Sequence, residues 1–181
     1  HMDNSKSIAV VHNGIIENYI ELKNMLTQNG YNFISDTDTE IVPNLIHFYY
    51  NKDDRNDALK LLRAIKNTCD SLIGSFSLEI LSTYMPNNMI VVRKDSPLVI
   101  GKGNGENYVA SDIPAILSYT KDFYLLDNYE YVLLSRDDIK FYDKDLNEIS
   151  KETTTITWDA MAADKDGFED YMLKEIMEQP K

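Results

Sequence analysis

Three short stretches hold residue types that could do chemistry. Asn13-Gly14 follows the apolar run Ile8-Ala9-Val10-Val11 and precedes a helical pattern. An asparagine side-chain amide beside a glycine main-chain N–H can form an oxyanion hole, which stabilises the charge that develops when an amide carbonyl is attacked. The same pair is ordinary turn chemistry, because both residues tolerate positive φ. On spacing alone, His12-Asn13-Gly14 reads as a strand-to-helix turn. Asp36-Thr37-Asp38-Thr39-Glu40 looks like half a calcium loop, but Ile41 stands where that loop needs glycine and His47 where it needs glutamate. Thr37 and Glu40 instead have the spacing of a capping box for a following helix. Asp38 could present a carboxylate at the mouth of a pocket, suited to an ammonium group, but the residues alone favour the cap.

The remaining candidates read as structural. Gly101-Lys102-Gly103-Asn104-Gly105 fits neither GxGxxG nor GK[ST] and precedes a strand pattern, so it reads as a glycine-rich hairpin. Cys69, the single cysteine, lies on an apolar helical face near the helix C-terminus. The negative end of the helix dipole disfavours thiolate there, so a buried, inert thiol is expected. His12 and His47 have neither a cysteine partner nor HExxH spacing, so no metal site is expected. No GxSxG nucleophile elbow occurs.

Composition narrows the function classes. The 181 residues hold 18 Lys+Arg against 30 Asp+Glu, a net charge of −12. Nucleic acid and anionic membrane require a basic patch, so neither is an expected partner. One cysteine excludes a disulfide framework. The longest apolar runs, Ile8 to Val11 and Met89 to Val92, are far too short to span a bilayer. A cytoplasmic protein of about one domain is the expectation. His1-Met2 reads as a cloning remnant outside the fold, and both ends read as cuts through a longer chain.

The candidate residues need elements to position them. Ile8 to Val11 is a buried strand pattern. A helix is predicted from about Ile16 to Asn29, with Ile15, Tyr19, Leu22 and Leu26 on one stripe and Gly30 as its stop. Tyr31 to Ile34 reads as a short strand. Helices follow at Thr39 to Tyr50 and at about Arg55 to Thr68. The period then changes: Phe76, Leu78 and Ile80 alternate with Ser75, Ser77 and Glu79, a half-buried strand. Short strands are predicted at Met89–Arg93, Leu98–Ile100, Asn107–Ala110, Phe123–Leu126, Glu130–Ser135 and Ile139–Tyr142. A short helix is predicted near Pro114 to Ser118, capped by Ser111 or Asp112, and a last one from Phe168 to Glu178. Helices followed by many short strands, without βαβ alternation, predict an α+β layered fold with antiparallel sheets.

The run Val10-Val11-His12-Asn13-Gly14-Ile15-Ile16-Glu17-Asn18-Tyr19, then Gly30-Tyr31 and Ser35-Asp36-Thr37-Asp38-Thr39-Glu40, resembles the glutaminase domain of the glucosamine-6-phosphate synthase family, the glutamine–fructose-6-phosphate aminotransferases (isomerizing). The resemblance continues through Gly74-Ser75-Phe76-Ser77-Leu78, Ser96-Pro97-Leu98-Val99-Ile100-Gly101 and Gly105 to Asp112. It ends at Tyr171-Met172-Leu173-Lys174-Glu175-Ile176-Met177-Glu178-Gln179-Pro180. It implies an N-terminal nucleophile hydrolase fold, an αββα sandwich with antiparallel sheets, here without its first strands. Residues 3–170 would be a partial glutaminase domain and 171–181 the start of a linker to absent sugar isomerase domains. The resemblance places Asn13 and Gly14 on the oxyanion hole and Asp38 on the carboxylate that holds the α-ammonium of glutamine, with no cofactor. The family's nucleophile is an N-terminal cysteine, which together with the arginine that grips the glutamine carboxylate belongs to a segment before this stretch. Cys69 cannot replace it, so the chain alone is expected to be inactive. Two alternatives remain open: a non-catalytic binding module on the same scaffold, and the glutaminase domain of another class II amidotransferase such as amidophosphoribosyltransferase. Self-association through exposed sheet edges, the Ile8–Val11 strand among them, is a further expectation.

Overall fold

The computed structural model describes residues 1–157 and 171–178. Strand β1 (Ile8–Ile16) leads into α1 (Tyr19–Gln28), a single 3-10 turn at Asp38–Glu40, α2 (Ile41–Lys52) and α3 (Lys60–Ser71). Strands β2 (Gly74–Ser82), β3 (Met89–Lys94), β4 (Val99–Lys102), β5 (Asn107–Ala110) and β6 (Asp122–Leu125) follow. Then come β7 (Tyr131–Leu134), β8 (Ile139–Tyr142), β9 (Glu148–Ile149), β10 (Thr154–Thr155) and α4 (Tyr171–Glu178). The strands form two antiparallel sheets, one ordered β1-β2-β3-β7-β8-β9 and the other β10-β6-β4-β5.

Strand alternation builds the layers, since successive side chains leave a strand on opposite faces. Ile8, Val10, Ile16, Phe76, Leu78 and Ile80 pack against Leu22, Leu26, Leu45, Ile46, Leu62 and Ile65 of the three helices. From the opposite face of the larger sheet, Val91, Val132, Leu134 and Phe141 meet Leu98, Ile100, Tyr124 and Leu126. The outer face of the smaller sheet carries Val99 and Phe123 beneath Ile116 and Leu117. The order of layers is therefore helices, six strands, four strands, and the turns of residues 111–120.

Several sequence expectations are corrected. His12-Asn13-Gly14 is not a turn. β1 runs through it in unbroken register with β2, from Ile8 opposite Ser82 to Ile16 opposite Gly74. Nine residues of pairing hold the segment extended, and the glycines serve a different need. Gly14 has φ +137°, and a Cβ there would lie 2.1 Å from the Ser75 carbonyl oxygen; Gly74, at φ +123°, would meet the Ile15 oxygen at the same distance. The two strands approach too closely for side chains at these positions.

Tyr31 to Ile34, expected as a strand, is irregular. Side chains take the place of a ladder: Asn32 N–H donates to Asn4 Oδ1 at 2.7 Å, and Ile34 and Ser35 N–H donate to the Glu40 carboxylate at 3.0 and 2.8 Å. The expected helix near Pro114 is a series of turns with i to i−3 bonds, although Asp112 does accept the Ala115 N–H at 3.1 Å. The third helix begins at Lys60 rather than Arg55. The expected start of the last helix, at Phe168, lies outside the described residues.

His1 and Met2 are part of the fold. Met2 bridges Ala9, and the Val10 N–H donates to the His1 carbonyl at 2.8 Å. The Asp3 carboxylate accepts the Ile8 N–H at 2.6 Å, and the Asp3 N–H donates to the Ile8 carbonyl at 3.0 Å. The first half of the β1 edge, expected to be open for pairing, is therefore covered.

Candidate active site

β1 is the edge strand of its sheet, and its outward backbone groups need partners or a ligand. Residues 1–3 cover Ile8 and Val10. At the far end, the Ile16 N–H donates to Asp38 Oδ2 at 2.8 Å. Between these caps, over His12–Gly14, the outward backbone groups make no hydrogen bond to a described residue. The open stretch is the one that holds Asn13 and Gly14.

Asn13 points to the other side of the sheet from His12. With Val11, Ser77 and Glu79 it lines an open cleft of about 800 Å³, to which Met89, Val109 and Leu134 also contribute. The Asn13 side chain is exposed and makes no hydrogen bond to a described residue, so both of its N–H groups are free to donate. Ser77, 1% exposed, has an Oγ without a partner among the described residues. Burial pushes the Glu79 carboxyl above its usual range, opposed by a hydrogen bond from its own backbone N–H.

Asp38 reaches β1 from the opposite direction. Thr37 caps the 3-10 turn by accepting the Thr39 N–H at 3.3 Å, which sets Asp38 in the first turn. The predicted capping box is only half formed. Glu40 does not return to Thr37; it reaches the Ile34–Ser35 backbone and the Ser35 hydroxyl, the last at 2.5 Å. Burial of Glu40 opposes ionisation, but these donors outweigh it and hold the carboxyl below its usual range. Sequence reasoning missed this anchoring role, which the spacing of Thr37 and Glu40 had disguised as a cap.

His12 closes the arrangement. Its side chain is 2% exposed, with Nδ1 at 3.0 Å from Thr39 Oγ1 and 4.0 Å from Asp38 Oδ1. Burial lowers its pKa, only partly offset by Asp38, so the ring is neutral at pH 7. Asn13, Gly14 and Asp38 are thus brought to one short stretch of edge strand, although Asp38 is 22 residues beyond Ile16. Cys69 is elsewhere. It is fully buried in the helix-side core, its thiol pushed up to about 12 by burial. The Gly101–Gly105 segment is the hairpin between β4 and β5, as expected.

Comparison with known proteins bears on this constellation. The glutamine amidotransferase domain family matches residues 1–118. The chain belongs to that family. Over all 181 residues it is 48% identical to the glutamine–fructose-6-phosphate aminotransferase (isomerizing) of Clostridium perfringens, of which it covers 28%. The Aquifex aeolicus enzyme of the same name is 45% identical over 181 residues and covered to 29%. The chain therefore spans less than a third of the length of these curated relatives. Among solved structures, the glutamine phosphoribosylpyrophosphate amidotransferase of B. subtilis superposes with a TM-score of 0.63 at 25% identity, over 82% of this chain and 31% of that one. The fold is the antiparallel sandwich of these amidotransferases. The higher identity favours the fructose-6-phosphate branch over the phosphoribosyl branch. No helix among the described residues is long and apolar enough to cross a membrane.

Proposed function

We propose that this chain is the glutamine-hydrolysing part of an enzyme that transfers the amide nitrogen of glutamine to fructose-6-phosphate. The observation that carries the reading is the open stretch of β1. There an unengaged Asn13 amide and the Gly14 main chain stand beside a carboxylate, Asp38, that is tied to the same strand. In this reading Asp38 receives the α-ammonium of glutamine and the side-chain carbonyl lies against Asn13 and Gly14. A thiolate attacks that carbonyl, and the carbonyl electron pair moves onto oxygen. Asn13 Nδ2–H and Gly14 N–H stabilise the oxyanion, the C–N bond breaks, and the nitrogen leaves as ammonia after protonation. Water then releases glutamate from the thioester. The thiolate is the N-terminal cysteine that the family resemblance implies. Cys69, buried and held protonated, does not serve.

Residues 3–170 would form the glutaminase portion, and 171–181 would lead into the sugar isomerase domains that take up the ammonia. The edge of β5, which ends the smaller sheet, offers a route for self-association of the isolated chain, measurable by light scattering.

In the complete enzyme Asn13→Ala is expected to lower kcat for glutamine hydrolysis by about 10²–10³-fold with a smaller change in KM, because an oxyanion donor acts mainly in the transition state. A kcat within a few-fold of wild type would remove the assignment. The isolated chain is expected to release no glutamate; release that Cys69→Ala abolishes would assign the nucleophile to Cys69 instead.

A further inference from the structure

His12 adjoins Asn13 on β1 and Thr39 follows Asp38, and their geometry defines a chain of contacts. His12 Nε2 is buried with no partner in the described structure, whereas Nδ1 is 3.0 Å from Thr39 Oγ1. A buried N–H without an acceptor is more costly than a bare ring nitrogen. The ring therefore carries its proton on Nδ1 and donates it to Thr39. Thr39 Oγ1 keeps its own proton for Asp38 Oδ1, at 3.5 Å the longest link in the chain. The Thr37 hydroxyl reaches the same oxygen at 3.3 Å, and Asp38 Oδ2 takes the Ile16 N–H at 2.8 Å. His12 is the residue immediately before Asn13 on β1.

From this we infer that His12 and Thr39 are positioning residues: a relay from His12 Nδ1–H through the Thr39 hydroxyl to Asp38 Oδ1 aims the Asp38 carboxylate at the α-ammonium of glutamine, in register with the oxyanion donors of the same strand. The inference rests on the reading of Asp38 as the ammonium ligand. The Ile16 N–H holds one carboxylate oxygen in place, and the relay shares the placing of the other with the Thr37 hydroxyl. Without the relay Oδ1 keeps only the Thr37 hydroxyl among the described residues, and the ammonium meets a less well aligned partner while the amide end of the site is unchanged.

The test uses the complete enzyme and two ligands: glutamine, and 4-carbamoylbutanoate, which is glutamine without its α-amino group. Thr39→Val replaces the hydroxyl with a methyl of similar size. It is expected to raise the glutamine KM about tenfold with kcat within about threefold, while the inhibition constant of 4-carbamoylbutanoate stays within about twofold. Removing the ring with His12→Leu should produce the same split, and Thr39→Ser should restore the glutamine KM to within about threefold of wild type. If Thr39→Val weakens both ligands equally, or leaves the glutamine KM unchanged, the relay is wrong. Asp38→Asn separates the two levels of the argument. It should weaken glutamine selectively. If it does so while Thr39→Val does not, the relay alone fails; if it weakens both ligands equally, the ammonium assignment fails with it.

Discussion

On the helix side of β1 and β2, Ile8, Val10, Ile16, Phe76, Leu78 and Ile80 are at most 3% exposed. On the other side of the same two strands, Val11 is 67% exposed, Asn13 has no hydrogen-bond partner among the described residues, and Glu79 and Ser77 line an open cleft. The two sides share a backbone and a register. They differ in what covers them. Three helices seal the first side. The smaller sheet packs chiefly on β3, β7 and β8, so among the described residues β1 and β2 carry no complete layer on the second. A face with a full partner layer becomes core; a face without one keeps free donors and carboxylates, which a substrate can use.

The largest effect should come from the position where the two sides cannot be separated. Gly14→Ala puts a Cβ within 2.1 Å of the Ser75 oxygen at a φ of +137°. Backbone strain and overpacking together are expected to cost about 2–6 kcal/mol, and glutamine hydrolysis in the complete enzyme should be lost with it. Chemical denaturation and turnover would both register the change. A variant as stable as wild type would mean that the strands can part at no cost.

The contrast between the faces gives the next test. Leu78→Ala, on the sealed side, is expected to cost about 2–5 kcal/mol. Val11→Ala, on the open side, should stay within about 0.5 kcal/mol. Equal losses in urea unfolding would show that the cleft is covered in solution.

The two carboxylates Glu40 and Glu79 sharpen the comparison through pH. Glu40 has its pKa lowered in the fold, so its contribution is present above the unfolded-state value and is lost as pH falls through the folded one. Glu79 has its pKa raised, so the folded state binds the proton more tightly, and stability falls as pH rises from the unfolded-state value through the folded one. Glu40→Gln should therefore destabilise at pH 7, by about 1–3 kcal/mol because Ile34 and Ser35 lose a charged acceptor. Glu79→Gln should stabilise at pH 7. Thermal melts at pH 4 and pH 7 would sink the argument if both variants moved the same way.

The smallest expected effect concerns Cys69. With its thiol pushed up to about 12 and no exposed surface, it should resist an aromatic disulfide reagent at pH 8 until the chain is unfolded. Rapid labelling of the native protein would show that the helix-side core opens readily.

Much of the scaffold was readable without coordinates. The alternation of Phe76, Leu78 and Ile80 identifies β2 and its buried face, and the Asn107–Ala110 and Ile139–Tyr142 strands have the predicted bounds. The turn assigned to His12-Asn13-Gly14 failed because local residue preference is a weak force beside nine residues of pairing with β2. Tyr31–Ile34 failed for the converse reason: its aromatic and apolar residues suit a strand, but Asn4 and Glu40 claim the N–H groups that a ladder would need. In the candidate site, Asn13, Gly14 and Asp38 could be named from motif resemblance. The places of His12, Thr39 and Glu40 could not, because each depends on a contact across the fold.

Residue types and their spacing were enough for the acidic character and the alternation of β2, and the motif resemblance was enough to point to the family. Tertiary structure decided which face of β1 and β2 stays open, which backbone groups on the β1 edge are covered, and how Asp38 meets Ile16 from 22 residues away. The division has a physical cause. Period is a property of the backbone and determines which side chains share a face, but it says nothing of what will pack there. A side chain that caps a distant N–H gains its energy only after both elements have docked, so no local pattern records it.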